Sequence, residues 1–290
     1  MNDQQDAIIQ IRDLHHIYLK GTPLEVLALK GVNMEIHRGE MVGIVGRTGA
    51  GKSTTVQHFN GLIRPRERGK VIVFGHDLAD SKVDIRAIRQ KVGLVFQYPE
   101  AQLFERLVGD DVAFGPFRMG LPLAEVRDRV HWAMDIVGLS FDKFKDRFTF
   151  SLSGGEMRKA AIAGVLALRP DVLVLDESTS GVDPRGRKEL LADIRRLHDQ
   201  EGLTIVFIST NMEDLTSLVD KVYVLSDGRT VMSGRTGEVF SQPQELRRFG
   251  LAAPQIMEVM HALRERGYPV PEECVTVEDA EEQVWKILTS

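Results

Sequence analysis

Several scarcities bound what this chain can do. Cysteine occurs once in 290 residues, at Cys274. That excludes an internal disulfide framework and a cysteine-rich zinc site, and it fits a reducing compartment. Cys274 itself is expected to be an inert side chain. Basic residues are outnumbered, 37 Lys and Arg against 42 Asp and Glu, for a formal net charge of -5. Neutralising a phosphate backbone needs the opposite imbalance, so nucleic acid is not an expected partner. Long apolar runs are missing too: residues 172–175 and 205–208 fall far short of the roughly 20 needed to cross a bilayer. Any membrane role must come through a partner. The opening residues 1–6 have neither the basic stretch nor the apolar core of a secretory signal, so no export is expected. No internal repeat or low-complexity segment is present.

What the chain does have is the balance of an ordinary globular protein, 43% hydrophobic and 27% charged, with length enough for one large domain and a smaller one. Short runs rich in Val and Ile alternate with helical periodicity, the pattern of an α/β protein with a largely parallel sheet. Strands are expected over residues 41–45, 92–96, 172–175 and 205–209, each buried on both faces. Residues 8–14 and 32–36 alternate more and predict an antiparallel flank. From about residue 98 to 168 the strand signal vanishes, and Val126, Val130, Ala133, Met134 and Val137 recur at helical spacing, predicting a helical subdomain. Asp227-Gly228 sits between two apolar runs and predicts a tight hairpin. Beyond Gly250, amphipathic segments over 254–266 and 278–288, joined by the proline-rich turn 269–271, predict a small C-terminal domain. The expected division is 1–245 and 246–290.

Gly46-Arg47-Thr48-Gly49-Ala50-Gly51-Lys52-Ser53 follows an expected strand and precedes a helical stretch beginning at Thr54, the context that a phosphate-binding loop requires. Its glycines let successive backbone N–H groups converge on a phosphate, and the helix N-terminus adds partial positive charge. Lys52 supplies a full charge to the β- and γ-phosphates of a nucleotide such as ATP, and the Ser53 hydroxyl is suited to Mg²⁺. The apolar strand 172–175 ends in Asp176 and Glu177, at the sheet edge where α/β proteins bind ligands. Asp176 is suited to holding Mg²⁺ through water, and Glu177 to orienting or deprotonating an attacking water. Leu152-Ser153-Gly154-Gly155-Glu156 opens a helix with Ser153 as N-cap. Two glycines in its first turn weaken it by roughly 1 kcal/mol each, which asks for a close approach to backbone, such as a phosphate at the helix N-terminus.

In this order and at this separation, these three segments resemble the ATPase domain of ABC transporters. The resemblance covers nearly the whole chain, so residues 1–245 would be the P-loop ABC ATPase domain, with an antiparallel β flank and a helical subdomain. It implies that two subunits meet head to tail, residues Ser153, Gly154, Gly155 and Glu156 of one closing on the γ-phosphate held by residues 46–53 of the other. It implies that Gln97 senses Mg²⁺ and the membrane partner, that Tyr18 stacks on adenine, and that Asp183 communicates between sites. Residues 96–104 and 111–116 and the tail from Leu246 narrow the resemblance to energy-coupling-factor (ECF) transporters, and Thr22-Pro23-Leu24-Glu25 with Phe114-Gly115-Pro116 resembles one of the two ATPase types of their heterodimeric versions. Their ATPases dock in pairs on a transmembrane coupling protein that carries a substrate-binding membrane protein, and they drive import of vitamins or transition-metal ions. The resemblance therefore implies a peripheral place on the cytoplasmic face of the membrane and a tail that helps hold the ATPase pair, with Ile256, Val259, Met260 and Leu263 as a stripe suited either to that interface or to packing on its own domain. Glu100, Glu105, Asp110 and Asp111 are the expected acidic partners of basic coupling helices.

The pattern breaks at two places. After strand 205–209 the family normally has Thr-His, the histidine contacting the γ-phosphate and attacking water; here the chain reads Thr210-Asn211-Met212-Glu213. Asn211 still donates a hydrogen bond but cannot titrate near neutrality. The expectation is a slowed site paired with a sister subunit, with Thr210 capping the next helix and Glu213 completing a capping box. Ser178 stands where the family usually has proline. An ATPase of another ABC transporter is disfavoured by the tail. A soluble DNA-repair ATPase is disfavoured by the lack of sustained heptads between Lys52 and Ser153.

Overall fold

The computed structural model describes residues 7–271, 274 and 277–288; the opening residues 1–6 lie outside them. The chain begins with the long strands β1 (Ala7–Tyr18) and β2 (Val26–His37), followed by β3 (Met41–Val45) and α1 (Lys52–Phe59). Next come β4 (Lys70–Val73), β5 (His76–Asp77), α2 (Ile85–Lys91) and β6 (Val92–Val95). Four helices follow without an intervening strand: α3 (Val108–Arg118), α4 (Leu123–Ile136), α5 (Phe141–Phe144) and α6 (Gly154–Leu166). The chain returns to the sheet through β7 (Val172–Asp176), α7 (Pro184–Glu201), β8 (Thr204–Ile208), α8 (Met212–Leu218), β9 (Lys221–Ser226) and β10 (Arg229–Arg235). It ends in α9 (Thr236–Phe240), α10 (Pro243–Arg248), α11 (Gln255–Glu265) and α12 (Val277–Leu288).

Among the described residues, ten strands make two sheets. The larger has the order β10-β9-β3-β8-β7-β6, parallel except for β10. The smaller is antiparallel, β2-β1-β4-β5. Strands β3, β7 and β8 are buried at every position, and their alternate residues feed two different cores. Met41, Val45, Leu173, Leu175, Ile205 and Phe207 join the helical side. Val42, Ile44, Val172, Val174, Val206 and Ile208 join Ile9, Leu14, Leu29 and Val71 of the antiparallel sheet. This is why these strands read as continuous apolar runs: both faces are covered.

Asp227 and Gly228 turn the β9–β10 hairpin with φ of 46° and 72°, as their pairing predicts. Gly228 also lies against β2, where a Cβ would stand 2.6 Å from the Ala28 carbonyl oxygen. Val126, Val130, Ala133, Met134 and Val137 are all buried in the helical subdomain, the face that their spacing marks.

At the C-terminal end, Leu246, Leu251, Ala253 and Met257 pack into the large helical-side core. Met260, Val270, Cys274 and Ala280 make a small cluster of their own, flanked by Ile256 and Leu263. Of the four stripe residues, only Val259 is exposed. Cys274 is buried, and burial pushes its thiol pKa up, which makes it the inert side chain expected. Among the described residues, no helix is long and apolar enough to cross a membrane.

Candidate functional site

The carboxyl ends of β3, β7 and β8 meet at one edge of the larger sheet. From β3 the chain enters the glycine loop, in which Gly49 and Gly51 have φ of 82° and 97°. Gly51 is the N-cap of α1 and no side chain caps the helix, so its first N–H groups stay available to an anion. Gly46 has no room for a side chain: a Cβ would lie 2.3 Å from the Leu225 carbonyl oxygen. Lys52 is 5% exposed and folds over the loop, donating to the carbonyls of Gly46 at 2.8 Å and Arg47 at 3.3 Å. Its Nζ also lies 3.4 Å from a carboxylate oxygen of Glu177.

Asp176 ends β7 inside the protein. Burial raises its pKa above the usual carboxylate range, against a lowering hydrogen bond from Ser53. Its Oδ1 is buried without a hydrogen-bond partner, an unmet acceptor that a Mg²⁺ ion or a Mg²⁺-bound water would satisfy. Glu177, next in the chain, adopts a left-handed φ of 48°, a conformation costing a non-glycine residue about 1–3 kcal/mol. Its backbone N–H donates to the Ile208 carbonyl at 3.0 Å, and its side chain accepts from the Gln97 amide at 2.8 Å. Gln97, Lys52 and Glu177 are thus one connected group.

Tyr18, at the end of β1, donates its hydroxyl to Thr54 Oγ1 at 3.2 Å. It lines a cavity of about 510 Å³ with Val26, Thr48, Gly49, Lys52 and Glu177, long enough to run from an aromatic face to the phosphate loop. Ala50 is buried beneath that loop. Asp183 caps α7, accepting from the N–H groups of Arg185 and Gly186 at 3.1 Å each.

Ser153 caps α6 in a capping box with Glu156, as its sequence predicts. The hydrogen bonds from Ser153 hold the Glu156 carboxyl below its ordinary pKa. Residues 153–156 line none of the cavities around the phosphate loop and Glu177. A Cβ at Gly154 or Gly155 would meet nothing within 4 Å, so no part of the described residues explains the two glycines.

Two expectations need correction. The cap on α8 is made by Asn211, whose Oδ1 accepts from the Asp214 N–H at 3.1 Å, rather than by Thr210 with Glu213. The reason is register: β8 ends at Ile208 and the Ser209 hydroxyl accepts the Asn211 N–H at 3.0 Å, which leaves Asn211 at the helix start. Thr210 is exposed and lines a cavity of about 240 Å³ together with Glu177, Ser180, Arg187 and Asn211. Asp111 is the second correction. Its carboxylate is buried and accepts from the Phe104 and Glu105 N–H groups at 2.8 and 2.7 Å, so it shapes the loop after Gln97 instead of standing ready for a partner.

Sequence reasoning missed Asp214. It is 2% exposed and accepts from Thr179 at 2.8 Å, Ser209 at 3.3 Å and Arg187 at 2.6 Å. It thereby ties α7, α8 and the loop after Glu177 into one unit. The available signal was a carboxylate at a core position of α8, beside Leu215 and Leu218.

A profile of the ABC transporter family matches residues 29–180. The energy-coupling factor transporter ATP-binding protein EcfA2 of Clostridium perfringens is 46% identical over 97% of this chain and 98% of its own length. The protein of the same name from Caldanaerobacter subterraneus is 45% identical over 97% of both chains. Among solved structures, CbiO1 of Clostridium perfringens, described as part of the ABC transporter complex CbiONQ, superposes with a TM-score of 0.74 at 36% identity, covering 89% of this chain and 99% of that one. A dimeric ATP-binding cassette bound to ADP and Pi in a post-hydrolysis state gives 0.70 at 25% identity, covering 79% and 98%. The phosphate loop, the paired carboxylates at the end of β7 and the capped glycine helix thus stand in a chain that belongs to the ABC transporter ATPases, among the energy-coupling factor ATP-binding proteins.

Proposed function

We propose that this chain, the ATP-hydrolysing subunit of an energy-coupling-factor importer, works as one half of a head-to-tail ATPase pair. The carrying observation is the open face of Gly154 and Gly155. They are glycines at a helix N-terminus where, among the described residues, an added Cβ would meet nothing within 4 Å, while residues 153–156 line none of the cavities around this chain's own phosphate loop. A partner's ATP against that face explains both.

In this reading Tyr18 takes the adenine ring, and the N–H groups at Gly49, Ala50, Gly51, Lys52, Ser53 and Thr54 hold the phosphates. Glu177, fixed by Gln97, accepts a proton from the water that attacks the γ-phosphorus. Ser53, Gln97 and Asp176 would hold Mg²⁺, which when bound draws charge from the phosphate oxygens. Of the two residues at the broken Thr-His position, Thr210 is exposed on the cavity it shares with Glu177, while the Asn211 amide oxygen is engaged at the α8 cap, so Thr210 is the one we set against the γ-phosphate. A hydroxyl supplies a weaker, non-titrating donor, so the site on this chain turns over slowly, and a sister subunit carries the faster one.

Partners of the pair are a transmembrane coupling protein and the substrate-binding membrane protein it carries, so the chain sits peripherally on the cytoplasmic face and powers uptake of a vitamin or transition-metal ion. Exposed Tyr98, Phe104 and Phe114, with Glu100, Glu105 and Asp110, suit a basic coupling helix. The tail from Leu246, anchored in the main core as far as Met257, carries the small C-terminal unit that helps hold the pair, with exposed Val259, Trp285 and Leu288 as contact surface.

Steady-state ATPase across protein concentration tests this. Turnover per subunit should rise with concentration and vanish with Glu177→Gln; a constant rate down to dilute monomer refutes the pair. Thr210→His should raise turnover on the order of 100-fold, as for a restored transition-state donor, and Asn211→His should not. No response to Thr210→His would overturn the slowed-site assignment.

A further inference from the structure

Behind Tyr18 stands a ladder of rings that hydrolysis leaves unused. His16 and Tyr18 are two apart on β1, across an irregularity in its pairing with β2. Their rings meet edge to face, centroids 4.4 Å apart at 83°. His16 in turn meets the ring of His58 on α1, 5.2 Å away at 78°. His58 is completely buried.

The hydrogen bonding of His58 fixes its state. Nδ1 lies 2.8 Å from the Thr54 carbonyl oxygen; a carbonyl only accepts, so Nδ1 carries the proton. Burial pushes His58 down to about 4 and lowers His16 as well, so both rings are neutral at pH 7. The Nε2 atoms of both are buried without partners. For packing alone this is a poor choice, since an apolar side chain would fill the space without an unmet acceptor. Histidine supplies two things Leu or Phe cannot combine: a donor that locks the ring to the α1 backbone, and an aromatic edge.

Thr54 closes the circuit. Its carbonyl accepts a hydrogen bond from the His58 Nδ1–H, and its hydroxyl accepts one from the Tyr18 O–H. Tyr18 is therefore held at its hydroxyl by α1 and along its ring by His16, which His58 of α1 supports. The helix that does this grows directly out of the phosphate loop.

We propose that His16 and His58 are positioning residues that set the tilt and height of Tyr18 for the base, registering base stacking to the phosphate loop through α1. The proposal rests on reading the Tyr18 cavity as the nucleotide site. Aromatic edge contacts contribute about 0.5–1.5 kcal/mol each, a change of roughly 2- to 10-fold in affinity.

Titration calorimetry of the full chain with Mg²⁺, using ATP and inorganic tripolyphosphate in parallel, separates the possibilities. His16→Ala should weaken ATP by roughly 3- to 10-fold and leave tripolyphosphate unchanged, and His16→Phe should recover ATP binding. His58→Asn, which retains a donor for the Thr54 carbonyl but removes the ring, should show the same selective loss. Equal losses for both ligands would mean a general distortion of the loop and overturn the proposal, as would unchanged ATP affinity in both His16→Ala and His58→Asn. Tyr18→Ala is the separate control: if it leaves ATP affinity intact, the base is not stacked there and the nucleotide-site reading fails first.

Discussion

The phosphate loop and the start of α6 are both glycine-rich turns that open a helix, yet the fold treats them oppositely. In the loop, glycine is demanded from within: a Cβ at Gly46 would collide with the Leu225 carbonyl oxygen at 2.3 Å, and one at Gly51, with φ of 97°, would lie 2.6 Å from a methyl of Leu29. Around Gly154 and Gly155 there is open space, and the helix is conventionally capped by Ser153. The first pair belongs to this chain's own architecture, whereas the second makes sense only against something brought from outside.

The sharpest way to break this comparison is Gly154→Ala. In the assembled ATPase it should cut turnover on the order of 100-fold, as for a removed transition-state donor, while thermal unfolding of the isolated chain stays unchanged or shifts up slightly, since alanine favours helix. A fall in stability would show that the open face is filled by this chain after all. Gly46→Ala should do the reverse, destabilising the isolated chain by about 1–3 kcal/mol through overpacking and abolishing ATP binding measured by calorimetry. Smaller still, Glu156→Ala should cost roughly 1 kcal/mol in denaturant unfolding by removing half of the capping box.

Acidification gives the gentlest separation. Burial raises the Asp176 pKa, whereas the Ser153 hydrogen bonds lower that of Glu156. As pH falls, protonation of Asp176 should weaken Mg²⁺-dependent ATP binding at higher pH than for an ordinary aspartate, while the α6 cap persists to lower pH than an ordinary glutamate would hold it. The stability from Glu156 is present above its unfolded pKa and is lost only as pH drops through its lower folded value. Parallel measurement of Mg²⁺-ATP affinity and unfolding midpoint between pH 7 and 4 checks the order, and Asp176→Asn should remove the early loss.

The contrast also explains what could be read from sequence. Parallel strands buried on both faces leave uninterrupted Val and Ile runs, so the central sheet was legible, and a phosphate loop must be contiguous because backbone N–H groups from adjacent residues converge. The Ser153 and Glu156 box was legible for the same local reason. The α8 cap was not, because Thr210 and Asn211 are both good caps and only the end of β8 decides between them. Nor could Asp111 be told from a solvated charge, since its backbone partners lie in a loop whose path the helical subdomain sets. The ring ladder needs residues from β1 and α1 that are adjacent only after the two sheets stack.

The outward-facing glycines of α6 carry a consequence for genetics. In the proposed head-to-tail pair with a sister subunit, a lesion at Gly154 would leave this polypeptide folded and able to load ATP, yet disable turnover of the nucleotide carried by the other gene's product. It therefore phenocopies a phosphate-loop lesion in the sister gene, and the two together are no worse than either alone. With the slower site on this chain, the Gly154 allele is also the more severe one for uptake than a Lys52 allele in the same gene, an inversion of the usual ranking in which loss of ATP binding is the null.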